Sequence, residues 1–131
     1  METVRLLLEK GADINSSNDF GSTILILAAF IFDESSEIVK LLLENGANVN
    51  LTNKDGETAL IAALYSDNVE TVKLLLENGA DVSLINKENK TFFDHVPIKY
   101  LQECLDIVYQ IEHHKLSMKK LLKPINKRSI E

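Results

Sequence analysis

The chain has 131 residues, enough for one domain, and its 45% apolar and 26% charged content is ordinary for a soluble globular protein. A formal net charge of -6 argues against a protein built wholly around nucleic-acid contact, and the one cysteine, Cys104, excludes both a disulfide framework and a cysteine metal cluster, pointing to a reducing, intracellular (cytoplasmic) setting. The longest apolar run is the nine residues 24–32, where a membrane span takes about 20, and the N-terminal METVRLLLEKGAD is charged too early for a secretory signal.

The chain opens on a predicted helix over residues 2–10, which runs into LLLEKGADIN at 6–15. That text returns as LLLENGANVN at 41–50 and LLLENGADVS at 74–83, offsets of 35 and 33. A second marker keeps the same phase: Gly21-x-Thr23, Gly56-x-Thr58 and Asn89-x-Thr91. Two markers on one period define a repeat architecture, each period reading as two short helices and a loop.

The first predicted helix of the second repeat lies in DFGSTILILAA. FIFDESSE then separates Ala29 from Ile38, a stretch two residues longer than its counterpart in the next repeat. In the third repeat residues 58–65 are apolar and alanine-rich, fit for a short helix. Asp67 and Asn68 are candidate caps for the next helix, because a short side-chain oxygen accepts an orphan backbone N–H. Val69, Val72, Leu75 and Leu76 then form one helical stripe, with Glu70, Lys73 and Glu77 off it. Leu6, Leu7, Leu41, Leu42, Leu74 and Leu75 are assigned to the core. Gly79, like Gly11 and Gly46, stands where a helix ends in a left-handed residue.

The fourth repeat reads as an ending. Residues 91–96 form a shortened helix closed by Pro97, and residues 103–109 align with 70–76 as a divergent second helix that runs to His114. Residues 115–131 carry six basic groups and one acid (+5), against -11 for the rest.

The pattern resembles the ankyrin repeat, a family read as D-x-x-G-x-T-P-L-H-x-A-A followed by V-V-K-L-L-L-E-x-G-A-D-V-N. The matching text is DFGSTILILAA with EIVKLLLENGANVN, and KDGETALIAAL with ETVKLLLENGADVS, within about residues 2 to 110. The resemblance implies an all-α ankyrin-repeat solenoid of about three and a half repeats plus a C-terminal capping helix. Residues 1–114 would form the repeat domain, divided into a half repeat 1–18, repeats 19–53 and 54–86 and a divergent cap 87–114. Residues 115–131 would be a basic tail. The family's Thr-Pro-Leu-His becomes Thr23-Ile24-Leu25-Ile26, Thr58-Ala59-Leu60-Ile61 and Thr91-Phe92-Phe93-Asp94. The starting proline and the histidine that ties neighbouring repeats are therefore absent, and packing by Ile26 and Ile61 is expected to substitute.

No catalytic motif is present: no G-x-x-x-x-G-K, no G-x-S-x-G and no H-E-x-x-H. Glu112-His113-His114 is no metal site, because adjacent helical residues point about 100° apart. Asp94-His95 reads as a structural or exposed pair, and Cys104 as a packing or surface thiol. No enzyme activity, cofactor or metal is expected, and a monomer is.

In proteins similar to this one, partners are held by the turn tips and the exposed side of the first helix. The matching tips are Ser17, Asp19, Phe20 and Ser22; Thr52, Lys54, Asp55 and Glu57; and Ile85, Lys87, Glu88 and Lys90. The matching first-helix ends are Phe30 and Ile31, and Tyr65 and Ser66. The function expected is protein binding through the concave face and these tips. One alternative is a fragment of a larger regulatory or effector protein, since the chain opens on the second helix of a repeat. Frequent Lys, Asn and Ile (12, 11 and 12) hint at an AT-rich genome and at delivery into a host cell. Another alternative is a tail (Lys115, Lys119, Lys120, Lys123, Lys127, Arg128) that meets nucleic acid or an anionic membrane surface. Nucleic acid is the weaker of these, because the tail has no aromatic residues to stack bases.

Overall fold

The structure is a computed structural model that describes residues 2–30 and 35–130, with side chains for 5–30 and 36–122. Its described residues form seven helices: α1 (Glu2–Glu9), α2 (Ile24–Phe30), α3 (Ser35–Glu44), α4 (Ala59–Tyr65), α5 (Val69–Glu77), α6 (Phe92–His95) and α7 (Ile98–Ile130). They stack as pairs. Helices α2, α4 and α6 form an inner row and α3, α5 and α7 an outer row.

Side-chain oxygens start the short helices. Thr23 and Thr58 each accept the N–H three residues on, from Ile26 and Ile61, at 3.3 Å. Of the two residues expected to cap α5, Asn68 does so, its Oδ1 accepting the Thr71 N–H at 3.0 Å. Asp67 does not. It takes the left-handed conformation (φ 59°) and meets Lys99 at 3.3 Å. An aspartate tolerates that conformation because its short polar side chain can bond locally.

The core lies between the two rows: Leu25, Leu42, Leu60, Val72, Leu75, Phe92 and Cys104 are buried. Each aliphatic side chain so placed contributes roughly 1.5–3 kcal/mol over an exposed one. Ile26 and Ile61 are buried where the family has its histidine. A hydrogen-bonded tie survives elsewhere. The Ser66 hydroxyl lies 3.0 Å from the Ala29 carbonyl of the preceding repeat and 2.9 Å from its own Ala63 carbonyl.

Leu6 and Leu7 correct the sequence reading, for both are exposed. Leu7 aligns with Leu42 and Leu75, which are buried because an inner helix lies behind each. No such helix stands behind α1 among the described residues. The alternation of apolar positions is the same, so only packing separates them.

Two lines of loops stack alongside the helices. In the turn tips Asn18, Asn53 and Asn86 play one part: each Oδ1 accepts the N–H groups two and four residues on. The tips are then joined across repeats, Lys54 N–H to the Phe20 carbonyl and Lys87 N–H to the Asp55 carbonyl, both 3.0 Å. Gly56 is required twice over. Its φ is +78°, and a Cβ there would stand 2.9 Å from the Cα of Asn86. Asn89 takes the matching place in the last tip at φ 64°. At the loops after the outer helices, Asn15 Oδ1 accepts the Asn48 N–H (2.7 Å) and Asn50 Oδ1 the Asp81 N–H (2.8 Å).

Helix α7 does not stop at His114. It runs on to Ile130, 33 residues in all, or roughly 50 Å. Glu112 stands where Gly79 ends α5, and α7 passes straight through. Because it does not turn, a groove of about 260 Å³ opens between the Gly79–Val82 turn and Val108, Ile111, Glu112 and Lys115 of α7.

Candidate protein-binding face

The candidate surface is built from equivalent positions of two successive repeats. Ser22, Leu27 and Phe30 of one face Glu57, Ala62 and Tyr65 of the next, each pair 35 residues apart. Together with Ile26 and Asn53 they line a groove of about 200 Å³ between α2 and α4. Leu27, Phe30 and Tyr65 are exposed there, an apolar strip on helices whose opposite sides form the core.

Tyr65 closes one end of the groove. Its ring meets Phe30 edge-on at 6.4 Å between centroids and His95 edge-on at 6.0 Å. Its hydroxyl donates to Glu57 Oε2 at 2.8 Å. The phenol is pushed up to about 12, first by partial burial, then by the hydrogen bond to Glu57 and by the negative charges of Glu57 and Glu88. Beyond Tyr65 lies a second hollow of about 130 Å³, lined by Asp55, Glu57, Tyr65, Asn86, Lys87 and Glu88. An apolar strip thus ends against a group of carboxylates, with Tyr65 and Glu57 in both walls.

The other expected site residues fall into three groups. Ser17, Asp19, Thr52, Lys54, Asp55, Lys87 and Lys90 are exposed on the tips, and Phe20 is 76% exposed beside them. Ser22 and Ser66 are buried, which corrects the expectation that they are presented at the surface. The Ser22 carbonyl accepts the Asn18 N–H inside the tip, and the single proton of the Ser66 hydroxyl is shared between the Ala29 and Ala63 carbonyls. Ile31, and with it half of the stretch between Ala29 and Ile38, lies outside the described residues.

Leu27, Asn53 and Ala62 are groove residues that the sequence did not single out, and His95, read there as part of an Asp94-His95 pair, instead meets Tyr65. The repeat register carried the signal for two of them: Leu27 and Ala62 lie three residues before Phe30 and Tyr65, on the same helix face. The same register reaches His95, which stands 33 residues after Ala62 at the equivalent repeat position. Its Nδ1–H donates to the Thr91 carbonyl at 2.8 Å.

The Asp94 carboxylate accepts the Thr91 N–H at 2.8 Å, which holds it below its ordinary range. The Cys104 thiol is fully buried, not a surface group, and burial, with Glu103 beside it, raises it. No three His, Cys, Asp or Glu side chains converge on a metal-sized point among the described residues. No helix of the described residues is long and apolar enough to cross a membrane.

Comparison with known proteins places these features. The profile of the family described as "Ankyrin repeats (3 copies)" matches residues 1–86 and 25–119. Among solved structures, the ankyrin repeat domain of Bcl-3, described as a unique member of the IkappaB protein family, is similar at 37% identity with a TM-score of 0.73. The match covers 81% of this chain but 46% of that one, so the chain spans about half the length of that relative. A search of curated proteins returned no match.

Proposed function

We propose that this chain, which belongs to the ankyrin repeat family, holds a segment of a partner protein on the face carrying α2, α4 and the turn tips. Ankyrin repeats serve generally as protein–protein interaction modules, typically without catalysis. The observation that carries the reading here is the groove between α2 and α4, where Leu27, Phe30 and Tyr65 are exposed side by side at equivalent repeat positions. Exposed aromatics on a rigid backbone bury much area at small entropic cost, which is why such residues recur at interface hot spots.

The chemistry of the groove selects the segment. An apolar side chain fits against Leu27, Phe30 and Tyr65. A basic neighbour faces Asp55, Glu57 and Glu88, which border the second hollow. Asp19, Phe20, Thr52, Lys54, Lys87 and Lys90 extend the contact along the tips, and Ser17 bounds it. The stack is already ordered by its inter-repeat hydrogen bonds, so binding orders few groups of the chain itself. An intracellular setting is part of this reading, in keeping with the lone buried thiol.

The test is capture of a partner by the intact chain compared with Phe30→Ser/Tyr65→Ser and, separately, Phe20→Ser, at matched thermal stability. Loss of the partner in the double variant, worth ~2 kcal/mol or more per true hot-spot residue, supports the groove. Full retention by the double variant removes it.

A further inference from the structure

Helix α7 has two apolar faces. One packs on α5 and includes Cys104 and Val108. The other carries Ile98, Leu105, Tyr109 and Leu116, all exposed. These four are spaced seven, four and seven residues apart, which on a helix of 3.6 residues per turn brings them within about 40° of arc. The repeat register says what this face is. Leu105 and Tyr109 align with Val72 and Leu76 of α5, a helix packed against α3, α4 and α7, where they are 0% and 4% exposed. On α7 the same two positions are 43% and 64% exposed. The ridge is the surface on which another layer of helices would stack.

We propose that a second copy of this chain covers it, the two α7 helices packing antiparallel about a two-fold axis at Ile107. The spacing is self-complementary. Ile98 and Leu116 stand nine residues on either side of Ile107, and Leu105 and Tyr109 two residues on either side. An antiparallel pair therefore sets Ile98 of one copy against Leu116 of the other, and Leu105 against Tyr109, in both halves at once. Gln102 and Glu112, each five residues from the axis, meet as amide donor and carboxylate acceptor. Such a contact is isologous and closed, so it stops at two.

Charge sets the direction of the pair, and the self-complementary spacing sets the partner. Residues 115–131 carry +5 and the rest of the chain -11. A parallel pair would bring the two basic ends together. The antiparallel pair sends them to opposite ends, which keeps them apart. The ridge is about 27 Å long, which gives an interface at the small end of the specific range. Association is therefore concentration-dependent. It uses a face separate from the groove and does not rest on the protein-binding reading.

The test is the mass of the full chain by light scattering at rising concentration, together with a cross-linking register. The mass is expected to double. Tyr109→Glu, and independently Leu105→Lys, should remain monomeric with an unchanged far-ultraviolet circular dichroism spectrum, since both positions are exposed. Leu105→Cys mixed with Tyr109→Cys should form the mixed disulfide under mild oxidation, and neither variant should cross-link to itself, because like positions stand too far apart along the axis for a bridge. A monomer at every concentration overturns the proposal. So does association undiminished in both charge variants, or a disulfide between like positions.

Discussion

Tyr65 is the residue at which fold and candidate surface meet, and its ionisation reports on both. Its pKa stands above the ordinary 10.0, at about 12. A group whose folded-state pKa is raised contributes stability that is fully present below its unfolded value and is lost as pH rises through the folded one. The contribution of Tyr65 is therefore complete below pH 10 and disappears towards pH 12. In an ultraviolet titration of the phenolates one of the three tyrosines should ionise late, and Tyr65→Phe should remove that late component alone. The glycines make a second pair of tests. Gly56→Ala faces a backbone clash as well as a left-handed φ, whereas Gly79→Ala has open space around its Cβ and faces the φ alone. The second should cost about 1–2 kcal/mol and the first clearly more, read from urea midpoints at constant slope. Gly56 and Gly79 look alike in sequence, and the close approach of Asn86 is what separates them. Ser66→Ala leaves the Ala29 carbonyl without its cross-repeat donor, an expected loss of about 1–2 kcal/mol by the same measurement.

Among the helices, burial decides what propensity cannot. Helices α1, α3 and α5 share the text V-K/R-L-L-L-E, yet α5 is clamped by α4 on one side and by α3 and α7 on its flanks, while α1 leaves Leu6 and Leu7 exposed. A helix of eight residues is too short to be stable by itself, since isolated helices below about 12–15 residues are marginal. Amide hydrogen exchange should therefore be fast throughout α1 and slowest in α4 and α5, where opening approaches global unfolding. Leu75→Ala, at a fully buried site of α5, should cost about 2–5 kcal/mol in urea unfolding. Truncating Leu7, its repeat equivalent, should cost far less. Helix α6 shows how a proline edits an element: Pro97 ends it at four residues, and His95 is left in contact with Tyr65.

Across the whole molecule, one period of 33 to 35 residues organises both the core and the candidate surface, because every repeat presents the same positions to the same neighbours. The buried Cys104 thiol gives a probe of that stack from its last layer. Modification by a thiol reagent should be negligible in the native protein and should appear together with the loss of helical circular dichroism in urea. Early modification would show that α7 leaves α5 before the rest unfolds. The sequence alone determined the repeat, the helix pairs, the left-handed glycines and the exposed tips, because each follows from local chemistry repeated in register. It also marked Phe20, Phe30 and Tyr65 as surface residues. Tertiary structure alone decided which identical-looking residues are buried: Leu75 inside and Leu7 outside, Ser66 turned to a carbonyl and Tyr65 to the groove. It also decided that α7 continues past His114 with a bare second face. Exposure is a property of neighbours, and a periodic sequence writes the same residues whether or not a neighbour is there to cover them.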